Sequence, residues 1–446
     1  MRKKAPWEHG RLEIESTAPY FCNGDQPFFW LGDTAWLMFH SLTKEEIVKY
    51  LENRAEKGFN VIQVVAVHKM PAKNIYGFDA FVNGNMTMPI TKGENNYWEI
   101  VDFAVKKAEK LGIYMAILPH WGGVVKGNHI TIDQVEEYIQ FLAGRFQNST
   151  NIIWVTGGDN KGDKHYDYWC LMAKKLKEVT PENLVTFHPF GRTTSIDYFP
   201  EEEWMDFHMF QSGHRRYDQE QLNQWDDTSK SMYYYGEDSF RYVDHVHEVK
   251  PLMPVVDGEP SYEHIPQGLH DLSQPFWQDY DVRRSAYWAV FGGAAGFTFG
   301  HSSIMQFFDG NGTGAYGATI PWKDAIHSPG SDNMSHLAKL MNSVDFSKGK
   351  KARHLLACEE GEKHERISAF ASEDYAIFYS YTGRTIVVKP EVFEGVAVKA
   401  WWFDPVSGIF SYDGIKEADK LVFTIPLGTY THSDWVLVLK PCNSCS

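Results

Sequence analysis

Two carboxylates in this sequence each follow an apolar, strand-like run and one or two glycines. Asp159 closes the run NIIWVTGGD, and Glu259 lies in VVDGEPSYE. Two facing carboxyl groups can cleave a glycosidic bond, because one protonates the leaving oxygen while the other acts as nucleophile or base. The glycines allow backbone and substrate to approach closely. Either residue alone could be a helix N-cap or a rim ion pair, so the prediction rests on the two occurring together.

Other carboxylates compete for the same roles. Asp257 stands two residues before Glu259 and could orient a neighbour, and Glu263 lies a short way beyond. Glu237 and Asp238 belong to a polar stretch, so we expect them to be solvated.

The ends of the strand-like runs also carry histidines, tryptophans and amides. A polyol ligand needs hydrogen-bonding groups and an aromatic ring on which an apolar sugar face can stack. The predicted substrate-binding residues are Asp33, Trp36, His68, His120, Trp121, His188, Gln211 and His301. His214 also ends a run, and we expect it, like the other histidines at the strand ends, to bind sugar hydroxyls or to tune the carboxylates.

The histidines at the strand ends come from different runs and form among themselves no HxH or HExxH pair, which metal hydrolases commonly use. We therefore expect no catalytic metal and no cofactor. A serine nucleophile is disfavoured, because no GxSxG elbow occurs in the sequence.

Eight apolar runs alternate with helical patterns and must position these side chains. The runs cover residues 28–39, 60–67, 112–121, 151–159, 184–191, 206–213, 251–263 and 294–303. They lack polar alternation, as parallel strands buried on both faces do. This pattern predicts a (β/α)₈ TIM barrel, whose working residues lie at the carboxyl ends of the strands. The fourth and seventh strand ends face each other across the mouth, so Asp159 and Glu259 could flank one bond. A doubly wound sheet is disfavoured, because GDTAW after the first strand is not a phosphate loop.

Helix-like segments separate the runs. The predicted helices cover residues 43–58, 97–112, 131–146, 166–179 and 281–293. In the first of them, Thr43 and Glu46 have the spacing of a capping box, and Gly58 is a C-terminal signal.

The chain changes character after HLAKLMNSVDF (336–346) and the charged stretch SKGKKAR. Short alternating runs separated by turn residues follow, and they predict a small antiparallel β-sandwich. We therefore expect a barrel with an N-terminal β extension over 1–346 and a sandwich over 351–446. At least one of the adjacent Trp401 and Trp402 should face the interior of the sandwich.

The composition excludes several classes of protein. A net charge of −15 over 446 residues argues against a nucleic-acid partner, although a local basic cleft could still bind an anion. No apolar run approaches the ~20 residues that span a bilayer. The five scattered cysteines predict neither a disulfide framework nor a metal cluster. No apolar stretch follows MRKKAPWEHG, so we predict no signal peptide in this chain.

Three blocks of the sequence resemble one family. The opening FFWLGDTAWLMFHSLTKEEIVKYLENRAEKGFNVIQVV and the blocks NIIWVTGGDN and PVVDGEPSYE are similar to those of the apiosidase-like glycoside hydrolases. The tail, with VKAWWFDPVSGIFSY and DWVLVLK, resembles the collagen-binding-type sandwich that follows such barrels. The wider barrel clan has Asn-Glu at strand four, where this chain has Gly158–Asp159.

The resemblance implies a retaining, exo-acting glycosidase of bacterial plant-polysaccharide degradation, with an oligosaccharide as its partner. Its substrates would be pectic, including apiose-containing, oligosaccharides. Asp159 matches the acid/base and Glu259 the nucleophile. The family implies a location outside the cytoplasm, whereas the chain itself leaves the cytoplasm open. Two alternatives are a catalytically silent sugar-binding barrel, which would not hold the carboxylates together, and an adhesion protein acting through its sandwich.

Overall fold

The computed structural model describes residues 4–15, 18–219, 235–419, 421–426 and 433–442. Eight parallel strands form a single sheet that curls into a barrel, which confirms the predicted fold class. The barrel strands are β1 Trp30–Thr34, β2 Val61–Val65, β3 Tyr114–Leu118, β4 Ile152–Asn160, β5 Val185–Pro189, β6 His208–Phe210, β7 Val255–Asp257 and β8 Gly296–Phe299. Almost all their residues are buried, because neighbouring helices cover the outer face of the sheet and side chains fill its interior.

The sheet has the order β5-β4-β3-β2-β1-β8-β7-β6, so the seam of the barrel lies between β5 and β6. Asp206, just before β6, bridges this seam. Its backbone N–H donates to the carbonyl of Val185 at 2.9 Å, and its carboxylate accepts from the Val185 N–H at 2.6 Å. The Thr186 hydroxyl donates to the carbonyl of Phe207 at 2.6 Å. Side chains thus complete the hydrogen bonding that a regular ladder would supply.

Seven longer helices in the described residues surround the barrel. They are α1 Lys44–Glu56, α2 Tyr97–Leu111, α3 Ile132–Gly144, α4 Tyr166–Val179, α5 Ser239–His247, α6 Asp279–Phe291 and α7 Pro329–Met341. Shorter helices cover Met38–Ser41, Gly122–Lys126, Ser302–Gln306 and Trp322–Ala325. The predicted capping box is confirmed: Thr43 and Glu46 exchange side-chain-to-backbone hydrogen bonds at the start of α1. Between β5 and β6, the described residues 190–207 form only a single 3₁₀ turn, Ser195–Asp197.

A three-stranded antiparallel sheet closes the amino-terminal end of the barrel. Its strands are Leu12–Ile14, Phe21–Asn23 and Gln26–Phe28. The Phe21 ring packs against Phe207 at 5.1 Å, and the Phe28 ring packs against Tyr114 at 5.4 Å. Phe207 and Tyr114 lie where β6 and β3 begin, so this small sheet seals the end of the barrel opposite the predicted site.

The C-terminal region is antiparallel throughout. Its six-stranded sheet contains, in spatial order, Lys350–Lys351, Ile367–Ala371, Ala376–Ser380, Trp435–Pro441, Val398–Asp404 and Ile409–Lys416. A two-stranded sheet, Ile386–Val387 with Val422–Phe423, packs over it. Trp402 is buried between these sheets and Trp401 is half-buried, as expected of two adjacent residues in a strand.

Among the helices of the described residues, none is both long and apolar enough to cross a bilayer. Cys22, Cys170, Cys358 and Cys442 are free thiols, and Cys445 lies outside the described residues.

Helix α6 joins the barrel to the sandwich. Tyr287 stacks on Tyr379 with ring centroids 4.7 Å apart. Beside this stack, Arg283 donates two hydrogen bonds to Asp434, at 2.7 and 2.9 Å, and both side chains are almost fully buried. A buried ion pair is costly to break from one side, because the remaining charge is left uncompensated.

We therefore expect Arg283→Ala to lower the free energy of unfolding by about 3–5 kcal/mol, measured by urea denaturation. The matched control is Arg353→Ala, whose exposed pair with Glu360 should contribute less than about 1 kcal/mol. The double variant Arg283→Met, Asp434→Leu should recover much of the loss, since no charge stays buried alone. An Arg283→Ala protein as stable as wild type would show that the pair does not hold the two regions together.

Candidate active site

A left-handed bulge ends strand β4 and directs Asp159 toward the mouth. Gly157, Gly158 and Asp159 have φ values of 92°, 89° and 48°, and the ladder with β5 jumps from Gly157 to Asn160. A Cβ on Gly157 would lie 2.4 Å from the carbonyl oxygen of His188, and one on Gly158 would lie 2.7 Å from the Trp121 ring. The two glycines are therefore required for this turn, which aims the carboxylate.

Glu259 follows β7 and is held by two histidines. Nε2 of His214 donates to Oε1 of Glu259 at 3.2 Å, and Nε2 of His188 lies 3.3 Å from Oε2. Because a carboxylate only accepts hydrogen bonds, Nε2 of His214 carries the proton. The preceding Gly258 leaves no room for a side chain, since a Cβ there would lie 2.3 Å from the sulfur of Met209.

The two carboxylates meet at the mouth. One oxygen of Asp159, one oxygen of Glu259 and one ring nitrogen of His188 lie within 4.8 Å of one another. Oδ1 of Asp159 has no hydrogen-bond partner among the described residues. Strands β4 and β7 therefore bring together the two residues that the sequence singled out.

The surroundings separate the pKa values of the pair. Burial, with the charge of Glu259 added, raises the pKa of Asp159 to about 6. Burial alone would raise the pKa of Glu259 as well, but the adjacent His188 and the hydrogen-bonding His214 outweigh it and hold that pKa below its usual range. The pKa of His188 is raised: burial opposes the shift, and Glu259 and Asp159 more than offset it. In mildly acidic solution, one carboxyl group is thus protonated while the other is ionised.

Four rings form a continuous wall beside the pair. Trp36 packs against Trp121 at 5.2 Å and edge-on against His188 at 5.5 Å. His68 stacks on Trp121 at 5.4 Å, and Trp121 lies 5.8 Å from His188. Half-buried Trp121 and His68 leave ring surface open to a ligand. All four belong to the predicted substrate-binding set.

The remaining predicted residues are placed differently. Asp33 bonds Tyr50 and Arg54 behind β1, and all three are fully buried. His120 is bonded through Nε2 to Tyr168 at 2.7 Å. The structure does not bring Asp33 and His120 to the carboxylate pair, because their side chains are committed to the helices outside the barrel.

Gln211 and His301 complete the predicted substrate-binding set. Both are buried, and each has one side-chain atom without a hydrogen-bond partner among the described residues. Nδ1 of His301 accepts from the Ser303 N–H at 3.0 Å, and its ring stacks on His264 rather than on the aromatic wall. Gln211 follows β6 beside Gly191, and its Oε1 has no partner among the described residues. Gln211 thus keeps an acceptor available, whereas His301 caps a helix.

Of the alternative carboxylates, Asp257 and Glu263 are buried and have raised pKa values, and Glu237 lies at the sandwich interface. Asp257 accepts hydrogen bonds from Ser212, and burial nevertheless raises its pKa to about 8. Burial, with the charge of Asp279, also raises the pKa of Glu263 to about 8. The expectation that Glu237 is solvated is wrong, because its side chain is buried in ion pairs with Arg284 and His364 at the sandwich interface.

The structure gives two further residues of the site a specific role. The sequence predicts that His214 binds sugar hydroxyls or tunes the carboxylates, and the structure shows its bond to Glu259. Lys126 ends the short helix Gly122–Lys126 and donates to the carbonyl oxygen of Asp159 at 2.8 Å. The signal in the sequence that could have indicated it is a basic residue at the end of the short Gly-Gly segment that follows Trp121.

Asp159, His188 and Glu259 also have the donor types and the spacing of a cation site. The donor set is compatible with a divalent ion, yet the raised pKa of Asp159 favours a carboxyl group that keeps its proton over one that ligates. We expect dialysis against EDTA to leave kcat/KM unchanged, with activity measured before and after addition of Zn²⁺ or Mg²⁺. A loss on chelation that the metal restores would assign the three residues to a metal centre.

Two solved structures described as glycoside hydrolases are similar to this chain over almost its whole length. Over 99% of this chain and 99% of its own, a solved structure described as a glycoside hydrolase superposes with a TM-score of 0.92 and 38% identity. A family 5 glycoside hydrolase from Bacteroides vulgatus ATCC 8482 covers 99% of this chain and 96% of its own, with a TM-score of 0.92 and 35% identity. The protein is a glycoside hydrolase. More narrowly, residues 16–348 match the family "Apiosidase-like, catalytic domain", and the chain belongs to that family.

The C-terminal region has a family of its own. Residues 352–440 match "Putative collagen-binding domain of a collagenase". No curated protein matches the chain.

Proposed function

We propose that this enzyme is a retaining, exo-acting glycosidase that uses Asp159 as acid/base and Glu259 as nucleophile on pectic oligosaccharides, including apiose-containing ones. The observation that carries the proposal is the close approach of two carboxylates with opposite pKa shifts. Retaining enzymes hold their carboxyl groups about 5–5.5 Å apart, whereas inverting enzymes leave about 6.5–9.5 Å for a water. Oxygens within 4.8 Å support the first arrangement.

The proposed reaction has two steps. The ionised Glu259 attacks the anomeric carbon while Asp159 gives its proton to the glycosidic oxygen, so the bond to the leaving sugar breaks as an ester to Glu259 forms. Asp159, now ionised, takes a proton from water, whose oxygen attacks the same carbon and releases Glu259. His188 and His214 keep Glu259 ionised and fix its orientation. The aromatic wall supplies the surface on which the sugar packs.

A cluster of cations beside Asp159 supports an acidic substrate. Lys126 approaches the Asp159 backbone, and its charge is coupled to that of Lys164. Lys161 also lies near the charges of Lys164 and Arg192, which Asp163 partly offsets. In a chain with a net charge of −15, such a local concentration of positive charge at the site attracts carboxylate-bearing sugars. Pectic oligosaccharides carry such groups.

The pH dependence of kcat/KM follows from the same pair. Above a pH of about 6, Asp159 loses the proton that the first step needs, so we expect kcat/KM to fall about tenfold per pH unit. Glu259 stays ionised far into the acid range, which places the acid limb below the usual pKa of a glutamate. Initial rates across the pH range, with enzyme stability checked at each value, give the profile. A flat profile through neutral pH would contradict Asp159 as the acid.

Hydrolysis of a panel of pectic oligosaccharides, including apiosyl ones, tests the proposed substrate. The wild-type enzyme is expected to release a single terminal sugar from at least one of them, followed by product chromatography. Internal cleavage products would overturn the exo assignment. A wild-type protein inert across the whole panel would overturn the pectic assignment.

We also propose that the catalytic unit, with its N-terminal β extension, spans residues 1–346 and that the sandwich spans 351–446. The buried stack and ion pair on α6 support a sandwich that braces the barrel rather than one that acts as a separate adhesion module. The plant-polymer substrate favours a site of action outside the cytoplasm.

A further inference from the structure

A loop follows the short helix Ser302–Gln306 after β8, at the carboxyl end of the barrel strands. Its residues 307–317 include Tyr316, whose φ of 53° is uncommon for an aromatic residue. The side chain of Gln306 fixes this conformation. Its amide donates to the carbonyl of Ala315 at 3.0 Å and accepts from the Ala315 N–H at 2.8 Å. A strained backbone that is held by specific contacts is a feature of functional loops.

The loops after β7 and β8 pack against each other at this point. A Cβ on Gly317 would lie 2.8 Å from Leu272, so the two loops touch where glycine leaves space. The ring of His270, from the β7 loop, lies 5.7 Å from the ring of Tyr316. His270 is also electrostatically coupled to Arg215 and His214. Tyr316 and His270 together form a clasp on the β7–β8 side of the mouth.

Tyr316 lies on the side of the mouth where Glu259 is held. In the β7 loop that carries His270, the Gly268 N–H donates to the carbonyl of His214 at 2.7 Å, and His214 in turn donates to Glu259. The Tyr316 side chain is partly buried, and burial raises its pKa to about 12, with smaller contributions from the charges of Asp159 and Glu259. The phenol also keeps its proton throughout the working pH range, so it remains a hydrogen-bond donor.

We propose that Tyr316 is a specificity-determining residue that donates a hydrogen bond to the sugar held between Asp159 and Glu259, and that the clasp closes this side of the mouth so that the site accepts a chain end. This inference rests on the proposed function. The hydrogen bond would be made to a hydroxyl of the terminal sugar, and it gains strength as charge develops on the ring in the transition state.

Tyr316→Phe tests the hydrogen bond, because it removes only the hydroxyl. On the panel substrate that the wild type cleaves fastest, kcat/KM should fall about 10- to 100-fold, mostly in kcat. Tyr316→Ala should also raise KM and let the enzyme cut inside longer chains, since the clasp is opened. The control is Tyr412→Phe, another tyrosine with a solvent-reaching side chain, on the sandwich. It is expected to match wild type.

The outcomes separate the two proposals. If the wild type is active and Tyr316→Phe keeps full kcat/KM, the proposed role of Tyr316 is overturned while the glycosidase assignment stands. If Tyr316→Ala loses activity but yields only terminal sugar, the clasp does not set the exo mode. If the wild type cleaves no substrate in the panel, both proposals fail together.

Discussion

Replacing Glu259 by alanine is expected to reduce kcat on the order of 10⁴- to 10⁶-fold, because no other group can form the covalent intermediate. The carboxylate that shares the three-residue cluster with Glu259 and His188 is Asp159, which the first step needs as an acid. Sugar release from the best panel substrate, followed over hours at high enzyme concentration, measures the residual rate. Circular dichroism verifies the fold.

A rescue experiment and a control variant test whether the loss of activity comes from the missing nucleophile. Azide should restore turnover of an activated aryl glycoside by Glu259→Ala, because a small anion fits the vacated space and attacks the anomeric carbon; the product is then the glycosyl azide. Glu263→Gln is the matched control. The raised pKa of Glu263 means that it is protonated at neutral pH, so glutamine imitates it closely and activity should be retained. Full activity in Glu259→Ala, or loss in Glu263→Gln alone, would move the nucleophile to Glu263.

Asp159→Asn is expected to lower kcat/KM about 10²- to 10⁴-fold for substrates with a sugar leaving group. Asparagine tolerates the left-handed φ of 48° at this position, so the bulge should be preserved. The first step then lacks a proton donor. The loss should be much smaller for an aryl leaving group of low pKa, which departs without protonation, and the alkaline limb of the pH profile should disappear. Steady-state rates on both substrate types measure the difference.

The control for this variant is Asp257→Asn, since the pKa of Asp257 is also raised and asparagine imitates its protonated form. Its activity should remain close to wild type. An Asp159→Asn enzyme with equal losses on both substrate types would indicate a damaged site, and the acid would then have to be sought elsewhere.

The barrel and the carboxylate pair could be predicted from the sequence because both depend on local patterns. Strands buried on two faces appear as continuous apolar runs, and the glycines of VTGGD and VVDGE indicate where the backbone turns sharply at the strand ends. Once eight such runs are recognised, the topology of a barrel brings strand-four and strand-seven ends together. The aromatic wall of Trp36, His68, Trp121 and His188 follows from the same rule.

The direction of each side chain could not be predicted in the same way. Successive side chains of a strand point to opposite faces of the sheet. An uncertainty of one residue in the register therefore decides whether a side chain is predicted to face the mouth or the helices outside the barrel. Asp33 is within β1 and faces Arg54 of α1, and His120 faces Tyr168 of α4. Sequence patterns also do not predict contacts between loops that are far apart in the chain. The bond from His214 to Glu259 and the packing of Tyr316 on His270 are such contacts, because they depend on how the loops fold at the mouth.

The anomeric configuration of the first product tests the central claim most directly. Proton NMR, recorded during the first minutes of hydrolysis before mutarotation, reports whether the sugar leaves with its original configuration. A covalent intermediate on Glu259 followed by attack of water inverts the centre twice, so net retention is predicted. Release of the opposite anomer as the first product would contradict the assignment of Glu259 as nucleophile and would require a water between the two carboxylates instead.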